Sequence, residues 1–104
     1  MPLQEDESTT FGNVSVNLGS KLVTCNNETI NLTSTEFRLL EYLLKNKNRI
    51  LSRLEILEHV WGIDFNMGTN VVDVYINYLR KKIDKDPAQK FIQTVIGMGY
   101  ILKI

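Results

Sequence analysis

The segment from Thr69 to Asp84, TNVVDVYINYLRKKID, constrains the fold of this chain more than any other. At about 100° per residue it places Val72, Ile76, Leu79 and Ile83 in one apolar stripe, which predicts an amphipathic helix lying on a core. The stripe cannot be buried by one helix alone, so the rest of the chain must supply the opposing layer. The other face carries Asn70, Val74, Asn77, Tyr78 and Lys81, with Arg80 and Lys82 on the flanks. Most helices have a solvated polar face with no further role. This mixture also suits a nucleic-acid groove, because amides can pair with base edges, methyls can touch thymine and cations can meet phosphates.

The opposing layer is legible in chain order. Residues 1 to 10 have no periodicity and hold Glu5, Asp6 and Glu7, which reads as a linker or tail, leaving residues 11–104 as one domain. Short β-type segments follow, VSVNL, KLVTC and ETINL, separated by Gly19-Ser20 and Asn26-Asn27, and they predict a small antiparallel sheet. Thr33 with Glu36 forms a capping box that opens a helix through Phe37, Leu40, Leu43 and Leu44 to about Asn46. Ser52 with Glu55 opens a second, shorter one through Leu57, Val60 and Trp61 to Gly62. The segment from Gly62 to Gly68 is too long for a tight turn between helices and predicts a surface loop, with Phe65 tucked onto the core. After the third helix, Phe91 to Val95 and Tyr100 to Ile104 read as two strands of a hairpin around Ile96-Gly97-Met98-Gly99. The glycines there suit a tight strand connection and make a poor dinucleotide fingerprint, since the remaining βαβ unit is missing.

Composition narrows the class. A chain of 104 residues with 43% hydrophobic and 23% charged side chains suffices for one globular domain. No apolar run approaches the about twenty residues that span a bilayer, and the acidic start is unlike a signal peptide, so a cytoplasmic location without membrane attachment is expected. The sequons at Asn13, Asn27 and Asn31 then carry no meaning, and Cys25 is expected to be a buried small hydrophobe. Net charge is zero, but residues 1 to 75 balance at −4 and residues 76 to 104 at +4. Cations therefore gather where the exposed helix face lies, and screening over about 10 Å makes that local sign matter more than the total. Nucleophile triads, carboxylate pairs in a cleft and phosphate-cradling glycine loops do not occur in the sequence, and His59 has no second ligand type nearby. The expectation is a non-enzyme with no cofactor and no metal.

These residues closely resemble the winged-helix effector domain of bacterial response regulators of the OmpR/PhoB type. The likeness runs from about Phe11 to Ile104. Its most specific pieces are Leu32-Thr-Ser-Thr-Glu-Phe-Arg-Leu-Leu40, Val60-Trp-Gly62, Thr69-Asn-Val-Val-Asp73 with Ile76, Leu79-Arg80 and Lys82, and Thr94-Val95 with Gly97, Gly99 and Tyr100. The resemblance implies an α+β winged helix-turn-helix with an N-terminal antiparallel sheet, three helices and a C-terminal β-hairpin wing. It also implies a transcription-regulating output module, bound to double-stranded DNA with repeated half-sites, behind a phosphorylatable receiver domain N-terminal to this chain.

Carried over position by position, the resemblance implies base contacts from Asn70, Val74, Asn77 and Tyr78. It implies backbone contacts from Trp61, Tyr75, Arg80, Lys81, Lys82, Thr94 and Tyr100, a wing tip of Ile96, Gly97, Met98 and Gly99, and a loop of Asp64, Phe65, Asn66 and Met67 that can face RNA polymerase. Many family members carry Arg at the positions of Asn77, Tyr78 and Ile96, so weak DNA binding by the isolated, monomeric domain is expected. Asp73 is expected to favour the helix dipole and to pair with a cation. The rival reading is a winged-helix protein-interaction module whose docking face is Val74, Tyr75 and Tyr78.

Overall fold

A computed structural model describes residues 8–62, 68–86 and 90–104. Four strands come first, β1 (Ser8–Phe11), β2 (Val14–Asn17), β3 (Leu22–Cys25) and β4 (Glu28–Thr29), paired antiparallel in sequence order. Alternation explains which face is buried: Phe11, Val14, Val16 and Val23 turn inward, with Val16 opposite Val23. Asn26 and Asn27, at φ 55° and 66°, make the two-residue connection between β3 and β4 that a primed hairpin turn requires. The sheet begins earlier than the sequence suggests. Ser8 to Thr10 pair with Asn17 to Ser15, so three residues of the stretch read as linker belong to a strand. Cys25 is only half-buried, in β3.

Both capping boxes form. Helix α1 (Ser34–Lys45) starts where Thr33 Oγ1 accepts from Glu36 N and Glu36 Oε1 accepts from Thr33 N. Helix α2 (Arg53–Val60) repeats the pattern with Ser52 and Glu55. Phe37, Leu40, Leu43 and Leu44 are buried as their spacing predicts, and Leu39 joins them. Helix α3 (Asn70–Ile83) buries Val72, Ile76, Leu79 and Ile83, the predicted stripe, against α1 and α2. Asp64, Phe65, Asn66 and Met67 of the α2–α3 connection lie outside the described residues.

Strands β5 (Ile92–Val95) and β6 (Gly99–Leu102) form the C-terminal hairpin. Leu51 adds a third rung beside β6, exchanging two backbone hydrogen bonds with Tyr100 at 2.8 and 2.9 Å. The two glycines of the hairpin have different reasons. Gly97, at φ +79°, sits in the turn in open space, whereas a Cβ on Gly99 would lie 2.0 Å from the Leu51 carbonyl oxygen. A tight strand connection therefore accounts for Gly97 alone, and close approach of the Leu51–Ser52 backbone accounts for Gly99.

Candidate nucleic-acid interface

Because the stripe of α3 is fully committed to the core, its other face is held at fixed orientation. Asn70, Val74, Asn77, Tyr78 and Lys81 are all exposed on it, with Val74 at 40% and Tyr78 at 43%. Five residues predicted from the helical period thus share one surface. Tyr78 is steadied by a chain of edge-on rings: Trp61 meets Tyr75 at 5.2 Å, and Tyr75 meets Tyr78 at 5.2 Å. Trp61 and Tyr75 are partly buried against the core, so they anchor this row from below.

Arg80 joins α3 to the hairpin. Its Nε donates to the Ile92 carbonyl at 3.1 Å and its terminal nitrogen to Thr94 Oγ1 at 2.7 Å, while the guanidinium lies 5.5 Å from the centre of the Tyr100 ring. Arg80 and Thr94, predicted together for backbone contact, are therefore in contact with each other. Arg80 keeps further N–H donors for a ligand.

Tyr100 itself departs from expectation. Its ring is 4% exposed and its hydroxyl donates to Asp73 Oδ1, so it belongs to the core and has no free edge for a phosphate. Asp73 also accepts from Arg53 Nε at 2.8 Å. Burial works to raise the Asp73 carboxyl, but the bonds from Tyr100 and Arg53 outweigh it and hold the group below its ordinary range. Burial, then the neighbouring Asp73 charge, pushes the Tyr100 hydroxyl up. The paired cation expected for Asp73 is thus Arg53, in an ion pair whose two side chains stay 37% and 39% exposed.

Lys82 is likewise paired. Its Nζ donates to Glu36 Oε1 at 2.7 Å and to the Asn31 carbonyl at 3.0 Å, fastening α3 to the start of α1. Lys82, expected at the DNA backbone, thus has its amine engaged by Glu36 and Asn31 while its side chain stays 36% exposed. Lys81 and Lys85 are exposed and have no acidic partner among the described residues.

Asp84, which the sequence did not single out, is 2% exposed and accepts from the backbone N–H groups of Phe91 and Ile92. It fixes where β5 leaves α3. The only signal was an acid directly after the helix, and that position gives no hint of a partner seven residues on. At the hairpin tip Ile96 is 92% and Met98 59% exposed. His59 stacks on Tyr42 at 4.0 Å, and among the described residues no three His, Cys, Asp or Glu side chains cluster as metal ligands. Among them also, no helix is long and apolar enough to cross a membrane.

Comparison with known proteins follows the same geometry. The family described as "Transcriptional regulatory protein, C terminal" matches residues 27–102. The transcriptional regulatory protein TrcR of Mycobacterium tuberculosis is 48% identical over 98 residues, 94% of this chain and 38% of that protein. The chain spans less than half the length of such curated relatives. Among solved structures, the response regulator DrrB of Thermotoga maritima, an OmpR/PhoB homologue, superposes with a TM-score of 0.85 at 27% identity, over 94% of this chain and 45% of that one. The RstA DNA-binding domain of Klebsiella pneumoniae, solved in complex with the RstA box, superposes at 0.80 with 26% identity, over 93% and 97%.

Proposed function

The chain belongs to the family of C-terminal transcriptional regulatory domains, as a winged-helix output domain of the OmpR/PhoB type, and from that premise we propose that α3 and the hairpin bind double-stranded DNA sequence-specifically. The observation that carries this reading is the exposed row of Asn70, Val74, Asn77, Tyr78 and Lys81 on a helix whose opposite stripe is buried. A helix of this kind fits the B-DNA major groove, about 12 Å wide, and the row would face base edges there. Arg80, Thr94 and Lys81 sit where phosphates would flank it, and Trp61 and Tyr75 support the row. Asn77 has the sharpest role: its amide can bond N6 and N7 of adenine together, a pair worth about 1–3 kcal/mol in discrimination.

Relatives more than twice as long support a receiver domain N-terminal to this chain, with phosphorylation there controlling DNA occupancy in the cytoplasm. Residues 64–67 would face RNA polymerase, and the isolated domain would be a monomer that reads one of two repeated half-sites.

Selection of binding sequences from random duplexes tests the reading. Enrichment of a repeated motif is the expected result. Asn77→Ala should then relax preference at one base pair while leaving the others intact. Uniform weakening at every position would remove direct readout by Asn77. Failure of the wild-type chain to retain any duplex at low salt would leave the aromatic row as a protein-docking face instead.

A further inference from the structure

Val74 and Tyr78 lie four residues apart on α3, so their side chains stand one above the other on its exposed face, with Cβ atoms about 6 Å apart. They are the two large hydrophobic side chains that α3 leaves exposed, at 40% and 43%. Scattered exposed hydrophobics are ordinary. These two are adjacent, and both are held. Val74 is β-branched, which leaves it one strongly preferred rotamer in a helix. The Tyr78 ring meets Tyr75 edge-on at an interplanar angle of 68°, and Tyr75 meets Trp61 edge-on at 74°. Since Trp61 and Tyr75 are partly buried against the core, the row is fixed from below, and little side-chain freedom remains to be lost when a ligand fills the space between Val74 and Tyr78.

The apolar group that a base pair presents in the major groove is the C5-methyl of thymine, and cytosine carries only hydrogen at that carbon unless it is methylated. An apolar pair laid over a polar base edge leaves the edge without a partner, whereas a methyl gains contact from both side chains. Resting on the DNA reading above, we propose that Val74 and Tyr78 form a clamp for a pyrimidine C5-methyl group, through which this domain selects thymine over cytosine and responds to 5-methylcytosine in its site. Tyr78 stands where many members of the family carry Arg, so the clamp is a property of this chain rather than of its fold. Cytosine methylation then changes occupancy directly. It does so with no change in the protein and none in the number of phosphates neutralised, so the salt dependence stays the same.

The test uses the full chain and a duplex recovered by the selection, with each thymine of the half-site replaced in turn by uracil. Uracil keeps every hydrogen-bonding group of thymine and lacks only the methyl. At the pair where this substitution weakens binding most, C·G and 5-methylcytosine·G are then compared. The wild type should prefer the methylated base about fourfold in each comparison, the value of one buried methyl group. Val74→Ala combined with Tyr78→Ala should bind the methylated and unmethylated members of each pair alike. Equal wild-type affinity within either comparison would overturn the inference while leaving DNA binding by α3 standing. The same holds if the double variant keeps the wild-type ratios. Absence of binding to every duplex overturns the DNA reading and this inference with it. The duplex series needs no variant, so its outcome does not depend on how the substituted chain folds.

Discussion

At Gly99 the backbone of Leu51 comes so close that a Cβ would stand 2.0 Å from its carbonyl oxygen and 2.9 Å from its carbonyl carbon. Neither is the end of a flexible side chain, and the same carbonyl accepts from Tyr100 N, so the strand cannot retreat without losing the rung. Gly99→Ala should therefore cost at least about 3 kcal/mol. Gly97→Ala, with the same φ sign and open space, should cost about 1 kcal/mol. Urea unfolding of the two variants measures the difference, and equal losses would mean that conformation rather than crowding governs both. The sequence could mark these positions as glycines in a turn. Which one was crowded was not legible, because Leu51 and Ser52 reach it from another part of the chain.

Glu36 has two duties that can be separated at the same scale. Its Oε1 caps α1 and also receives Lys82 Nζ. Burial raises its carboxyl, yet the hydrogen bonds from Lys82 and Thr33 and the Lys82 charge bring it below the ordinary range. A lowered carboxyl means that the unfolded chain binds the proton more readily. Its stabilising contribution is then complete above the unfolded value of about 4.3 and is lost as pH falls through the lower folded value. Glu36→Gln retains capping-box chemistry and removes the charge. It should cost about 1 kcal/mol at neutral pH, less than a fully buried pair, because the Lys82 side chain is 36% exposed. Thermal melts between pH 3 and 7 should show a flatter acid limb for the variant, and parallel curves would remove the ion pair as its cause.

Between elements, side-chain bonds join α3 to the hairpin above the shared core: Arg80 reaches Ile92 and Thr94, and Tyr100 reaches Asp73. Arg80→Lys keeps the charge but cannot reproduce both bonds from a planar fork. It should loosen the hairpin, lower duplex affinity several-fold and leave the salt slope unchanged. A fall in the slope by about 0.9 would instead mean that the lysine no longer reaches the phosphate that Arg80 neutralises. Elements with local signals were the legible ones. The capping boxes at Thr33 and Ser52 and the stripe of α3 depend on neighbours within one or two turns. Strand β1 was not, since Ser8-Thr-Thr-Phe11 has no apolar alternation and owes its conformation to pairing with β2. The same limit hid the partners of Lys82 and Tyr100, which lie 46 and 27 residues away.

For the whole molecule, zero net charge conceals a positive C-terminal part, but the folded chain narrows that surplus further. Lys82 is held by Glu36, Arg53 by Asp73 and Arg49 by Glu55. The cations left on or beside the exposed face of α3 are Lys81, Lys85, Lys90 and the free donors of Arg80. Each phosphate neutralised adds about 0.9 to the slope of log affinity against log salt, so the slope should lie between about −2 and −4. Asn77→Arg or Ile96→Arg should each steepen it by about 0.9, since both positions are exposed and carry no charge now. Titration of a selected duplex across a fourfold salt range measures this. A wild-type slope steeper than about −5 would require phosphate contacts from cations that the fold ties up, and the ion pairs of Lys82 and Arg53 would then have to open on DNA.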